Sequence, residues 1–162
     1  MPDKLILKVL EDLKIEYERV EHPPVFTVSE AKAFGSFEAD GCKNLFLYDK
    51  KADKHYLVVM LEDKKAHSNT IRKQVKARSL VFGSEEELKS LLGVTPGSVS
   101  PLGIVNDRDR VVTVLIDEDL PCCSKVCFHP NINTSTLIMK YSDFERFIQW
   151  CGNEYRFICV TN

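Results

Sequence analysis

The chain has 162 residues, the length of one ordinary domain, and its 22 Lys and Arg against 24 Asp and Glu give a formal net charge of −2. That balance excludes a global basic field, so any nucleic-acid binding has to come from a local patch. With 44% apolar and 28% charged residues the composition is that of a folded soluble domain, and no apolar run approaches the ~18 residues of a membrane span.

The N-terminus, Met1-Pro2-Asp3-Lys4-Leu5, lacks the apolar core and small-residue cleavage site of a signal peptide, which predicts a cytoplasmic protein. Ile6, Val9, Leu10 and Leu13 recur at helical spacing, so residues 3–14 read as an amphipathic helix capped by Asp3. His22-Pro23-Pro24 reads as a rigid turn. Thr27-Val28-Ser29-Glu30 then predicts a capped helix that stops at Gly35. Asn44–Asp49 and His55–Leu61 flank a polar turn and read as a hairpin. Residues 64–78 hold six basic side chains (Lys64, Lys65, Arg72, Lys73, Lys76, Arg78) and no acid. Ser68 would cap a short helix there. This is the one local patch basic enough to track a phosphate backbone, unless it is simply a solvated helix face.

Ser84 and Glu87 form a second capping box, opening a helix that ends at Gly93, and Ser142 with Glu145 form a third, ending at Gly152. Val111–Ile116, set off from Gly103-Ile104-Val105 by a polar turn, Ser135–Lys140 and Tyr155–Val160 complete the strands. Helices mixed with hairpins do not fit a doubly wound sheet. The pattern predicts a single α+β domain over residues 1–162, with a curved mixed sheet, a partial barrel, flanked by helices.

There is no GxGxxG, P-loop, GxSxG or HExxH. Of the six cysteines, only Cys122, Cys123 and Cys127 are grouped, without the paired spacing of a zinc site. No metal or cofactor is expected.

Three segments can carry chemistry. In Gly41-Cys42-Lys43-Asn44-Leu45-Phe46-Leu47 a lysine and an asparagine stand where a loop enters a strand. The ammonium can meet a phosphate or carbonyl oxygen and the amide can orient a second oxygen, or the lysine simply points to solvent. Pro96-Gly97-Ser98-Val99-Ser100-Pro101-Leu102-Gly103 is a stiff loop whose backbone N–H groups can surround an oxyanion, or merely connect helix to strand. His129-Pro130-Asn131-Ile132-Asn133-Thr134-Ser135-Thr136 packs an imidazole, two amides and three hydroxyls before a strand, dense enough to recognise a ribose or phosphate, or to cap itself.

Taken in order, the His22 turn, the Lys43-Asn44 segment, the Leu92–Gly103 run, Asn106-Asp107 and the His129–Thr136 segment resemble the YbaK/ProRS-associated editing-domain family over nearly the whole chain. The likeness is strongest to its freestanding alanyl-tRNA(Pro) deacylases of the ProXp-ala or PrdX type. The resemblance implies a trans-editing hydrolase that removes alanine from mischarged tRNA(Pro). Its partners would be the alanine-bearing acceptor end of that tRNA and prolyl-tRNA synthetase, with no membrane involved. It implies Lys43, Asn44, Gly97 and Ser98 as the catalytic set, and Val99, Ser100, Pro101, His129, Asn133 and Thr134 as substrate-binding residues. Lys43 would hold the terminal adenosine, N–H groups of the Gly97–Gly103 loop would face the oxyanion, and Val99 and His129 would wall the pocket. Lys64, Lys65, Arg72, Lys73 and Lys76 would contact the tRNA backbone. A cysteinyl-tRNA(Pro) deacylase of the YbaK type shares the lysine. A non-catalytic tRNA-binding or synthetase-adaptor module would share the loops.

Overall fold

The computed structural model describes residues 3–23, 40–132 and 134–161. The predicted helix at Thr27–Gly35 and the site residue Asn133 lie outside them.

The first helix, α1 (Lys4–Asp12), buries Ile6, Val9 and Leu10. Asp3 precedes it without a side-chain cap bond, because its buried carboxylate pairs with Arg19 at 3.0 Å. Strand β1 (Tyr17–Glu21) follows, then β2 (Asp40–Asp49) and β3 (Lys54–Leu61), which form the predicted hairpin with Lys43 opposite Met60 and Asn44 opposite Val59. The basic segment folds as α2 (Ser68–Gln74), whose cap is His67 and not Ser68: the imidazole accepts from the Thr70 N–H. Strand β4 (Leu80–Phe82) leads into α3 (Glu85–Leu92), where the Ser84–Glu87 capping box forms and Gly93 ends the helix at φ 70°.

The Pro96–Gly103 region makes two 3-10 turns, Pro96–Ser98 and Pro101–Asn106, so Gly103-Ile104-Val105 is helical rather than extended. Strands β5 (Val112–Asp117), β6 (Lys125–Phe128) and β7 (Ser135–Lys140) precede α4 (Tyr141–Cys151) and β8 (Tyr155–Ile158). In α4 the third expected capping box does not form. The helix already starts at Tyr141, and the Glu145 carboxylate accepts from the Tyr141 hydroxyl instead. Its apolar face, Phe144, Phe147 and Ile148, is fully buried as the spacing predicts, and Gly152 stops it at φ 79°.

The strands form one mixed sheet in the order β1-β7-β6-β2-β3-β5-β8, with β4 paired to β2 off that path. The β2–β6, β3–β5 and β5–β8 pairs are parallel and the others antiparallel. The sheet is open, as an α+β domain with a partial barrel requires. Strand alternation sorts the side chains onto two faces. Cys42, Phe46, Leu57, Val59 and Val114 join α1, α3 and α4 in the main core on the inner face. Leu47, Tyr56, Val58, Met60 and Leu115 join Ile71 of α2 in a second cluster on the outer face.

Candidate active site

The site follows from how β2 is paired. One of its edges is bonded to β3 along nearly its whole length. The other meets β6 only at Asp40 and Gly41, and β4 only from Leu47 onward. Between these two ladders about 20 Å of strand, six residue steps, runs without a neighbouring strand among the described residues. Antiparallel alternation decides where its backbone groups point. The Gly41 carbonyl accepts from Glu62 N–H on the β3 side, whereas the Phe46 carbonyl accepts from Gly83 N–H on the opposite side. The N–H and C=O of Asn44 therefore point into the notch. Among the described residues no other backbone group takes them up.

Lys43 and Asn44 flank this notch from different faces. Asn44 shares the inner face with Cys42 and Phe46, and its Nδ2 donates to the Val99 carbonyl at 3.3 Å. Its Oδ1 is buried with no hydrogen-bond partner among the described residues. Lys43, opposite Met60, stands on the outer face and makes no ion pair with a described residue. A cleft of about 280 Å³ opens in the notch, lined from both faces by Asn44, Leu45, Phe46, Phe82, Pro96 and Val99.

The Pro96–Val99 turn separates this cleft from a second one of about 450 Å³, whose wall includes Ser98, Asn131 and Thr134. Part of the Gly97–Gly103 run is occupied with its own structure. The N–H groups of Ser98 and Gly103 donate to the Thr95 and Ser100 carbonyls, and that of Leu102 donates to Ser100 Oγ. Ser100 and Pro101 are buried. Gly103 is required by packing, since a Cβ there would lie 2.9 Å from both Asn131 Oδ1 and the Leu92 carbonyl. That carbonyl accepts from Asn106 Nδ2 and Asn131 Nδ2. Asp107 accepts from the N–H groups of Val111 and Val112 and from Asn153 Nδ2. The Asn106-Asp107 pair thus fixes the turn behind the site.

His129 is 7% exposed and lines neither cleft. Its Nδ1 lies 3.0 Å from the Ser135 carbonyl. A carbonyl only accepts, so Nδ1 carries the proton and Nε2 is the acceptor nitrogen of the neutral ring. Burial pushes its pKa down, against the Ser135 carbonyl that favours the charged form. His22 packs edge-on 6.0 Å away, with Nδ1–H donating to the Pro23 carbonyl and Nε2 accepting from the Thr136 hydroxyl.

In the basic segment Lys64 donates to Asp117 and Asp119 at 2.8 and 2.6 Å. Burial opposes its charge, but the two carboxylates outweigh that and hold its pKa well above the usual lysine range. Arg72 is half-buried and donates to the Ala77 carbonyl. Lys65, Lys73, Lys76 and Arg78 remain exposed. Cys122, Cys123 and Cys127 differ in exposure, from exposed to fully buried. Burial pushes the Cys151 thiol up to about 12. Sequence reasoning missed the notch itself and Phe82. A lone phenylalanine before a glycine carries no signal, and unpaired strand edges are set by tertiary pairing. None of the described helices is long and apolar enough to cross a membrane.

Residues 22–147 match the family model of the aminoacyl-tRNA editing domain. The chain is 38% identical to the prolyl-tRNA editing protein ProX of Acetoanaerobium sticklandii, over 94% of each chain. It is 36% identical to the prolyl-tRNA synthetase associated domain-containing protein 1 of Bos taurus, over 90% of this chain and 87% of that one. A solved structure described as that of a proposed trans-editing enzyme for prolyl tRNA synthetase superposes with a TM-score of 0.73 at 19% identity, covering 98% of this chain and 96% of its own. The chain belongs to the aminoacyl-tRNA editing domain family.

Proposed function

We propose that the protein is a trans-editing deacylase that hydrolyses alanine from mischarged tRNA(Pro). The observation that carries this reading is the notch in β2. There Asn44, whose backbone N–H meets no other backbone group of the described residues, lines a small cleft, and its strand neighbour Lys43 makes no ion pair with a described residue. Support for action in trans is that ProX, a prolyl-tRNA editing protein, matches this chain over 94% of its own length.

An aminoacyl ester is already activated, so positioned water and charge stabilisation suffice and no side-chain nucleophile is required. Water adds to the ester carbonyl, the bond to the ribose oxygen breaks, and a proton returns to that oxygen. The products are free alanine and a tRNA with its terminal hydroxyl restored. Lys43 holds the phosphate or ester oxygens from the outer face. The Asn44 N–H serves the developing oxyanion, a contact worth about 2.7–4 kcal/mol when one such donor is lost. Of the N–H groups of the Gly97–Gly103 loop, those of Ser98, Leu102 and Gly103 are taken within it, which leaves those of Gly97, Val99 and Ser100 for the oxyanion, and Val99 limits the acyl end of the cleft. Neutral His129 acts from behind, holding the Ser135–Thr136 backbone.

The test is single-turnover deacylation of alanyl-, cysteinyl- and prolyl-tRNA(Pro) by the purified protein. Rapid loss of alanine with prolyl-tRNA spared is the expected result. Faster loss of cysteine would assign the chain to the cysteine-clearing branch, and no hydrolysis of any ester would leave a tRNA-binding module.

A further inference from the structure

Phe82 is the most exposed large apolar side chain of the described residues, at 73%, although it belongs to a strand. It is not on a random stretch of surface. Register places it opposite Leu47, on the outer face of the sheet, which is the face that carries Lys43. It also lines the 280 Å³ notch cleft, together with Gly83 and Leu45. Gly83 is obligatory there, since a Cβ would overlap the Phe46 ring. The close approach of the Gly83 backbone to that ring seats β4 against β2 and fixes where Phe82 stands.

Lys43 and Leu47 are four steps apart, about 13 Å along the strand. An aromatic face at one end, an ammonium at the other and a cleft between them match the parts of one nucleotide: base, sugar and phosphate. Proteins that grip single-stranded RNA stack its bases on exposed aromatic rings. The cleft is just below the size range of pockets that enclose a drug-sized ligand, which suits one unstacked base with a small acyl group beside it.

Resting on the tRNA-editing reading above, we infer that Phe82 is the stacking platform for the 3′-terminal adenine of the tRNA, placing the ribose over Leu45 and the notch and the phosphate toward Lys43. Phe82 is a binding and positioning residue in this arrangement and does not touch the reacting carbonyl.

The probe is uncharged tRNA carrying 2-aminopurine at its 3′ end, titrated with wild type, Phe82→Ala, Phe82→Trp and Trp150→Ala. Trp150 is an exposed aromatic of α4, 53% exposed, outside both clefts, and controls for non-specific stacking. Wild type and Trp150→Ala should quench the probe on binding. Phe82→Ala should lose the quench and bind about tenfold more weakly, the scale of one base on one ring. Phe82→Trp should restore both. With alanyl-tRNA(Pro), Phe82→Ala should raise KM and leave single-turnover kcat within about twofold. Absence of quenching by the wild type, or equal quenching by Phe82→Ala, overturns the inference whatever the enzyme hydrolyses. Failure of the deacylase reading appears separately, as intact alanyl-tRNA in the presence of a protein that still quenches the probe.

Discussion

Lys43 stands at the mouth of the notch on a face where its neighbours along the strand, Leu45 and Leu47, are apolar. No carboxylate of the described residues pairs with it, so its charge is available to a ligand. Lys43→Ala should lower alanyl-tRNA(Pro) deacylation by about 10²–10³ and leave circular dichroism and the unfolding midpoint unchanged, since the side chain contributes no core packing. Near wild-type turnover would remove Lys43 from the mechanism. His129 makes the opposite kind of contribution, through burial. Its folded pKa lies below the unfolded value of about 6.5, so as pH falls the unfolded chain takes up the proton first. Stability is therefore complete above about pH 6.5 and is lost as pH drops from there toward the folded pKa. Urea unfolding at pH 7.5 and pH 5 should show a loss for wild type that shrinks in His129→Gln. The same loss in both would mean the imidazole is not the group that titrates.

At the scale of elements, the outer face gathers the cations and the aromatic ring proposed to meet the RNA. Helix α2 lies over the cluster that contains Met60 and Leu47, on the side of the sheet that bears Lys43 and Phe82. Its exposed cation is Lys73, joined by Lys65 before it, Lys76 and Arg78 after it and, from β8, the exposed Arg156, whose guanidinium donates to the Gln74 carbonyl. Lys73→Glu with Lys76→Glu should raise the KM for tRNA, leave the chemical step unchanged, and make the salt dependence shallower by one to two counterions' worth of slope, about 0.7–0.9 each. An unchanged slope would place the acceptor stem on another face. Lys64→Met should behave differently, disturbing stability and not tRNA affinity, because its ammonium is engaged by Asp117 and Asp119. The sequence could mark this segment as basic, but which cations are free depends on acids more than fifty residues away in the chain. The same limit explains the capping boxes. Ser84 and Glu87 act locally and were legible, whereas at Ser142 the chain enters α4 directly from β7, so the helix starts two residues too early for that serine to cap it. Lys43 and Asn44, adjacent in sequence, were expected as one pair. Strand alternation divides them between two faces, and of the two only Asn44 lines the cleft.

Under the proposed function, the whole molecule would have to accept every tRNA(Pro) end and still destroy only the wrong ester, so selection would rest on room at the acyl end of the cleft and not on RNA affinity. Val99 sits there, half-buried, with its carbonyl held by Asn44. A synthetase site shaped for proline rejects a residue smaller by a methylene or two only weakly, by about 1–3 kcal/mol per methylene. An editing site limited by Val99 applies the reverse criterion: alanine fits and the pyrrolidine ring does not. His129, expected beside Val99 as a second wall, lies outside the cleft lining and is bonded to the Ser135 carbonyl. The two residues therefore predict different outcomes. Val99→Ala enlarges the acyl end and should raise prolyl-tRNA(Pro) hydrolysis relative to alanyl by roughly 10-fold or more. His129→Ala should slow both esters in parallel, because it loosens the backbone behind the site without adding room in front of it. The measurement is the ratio of single-turnover rates on the two esters, with cysteinyl-tRNA(Pro) as a third substrate of intermediate size. If the ratio moves with His129 and stays fixed with Val99, the acyl group lies against the His129 segment, and the Pro96–Val99 turn is only the partition between the two clefts.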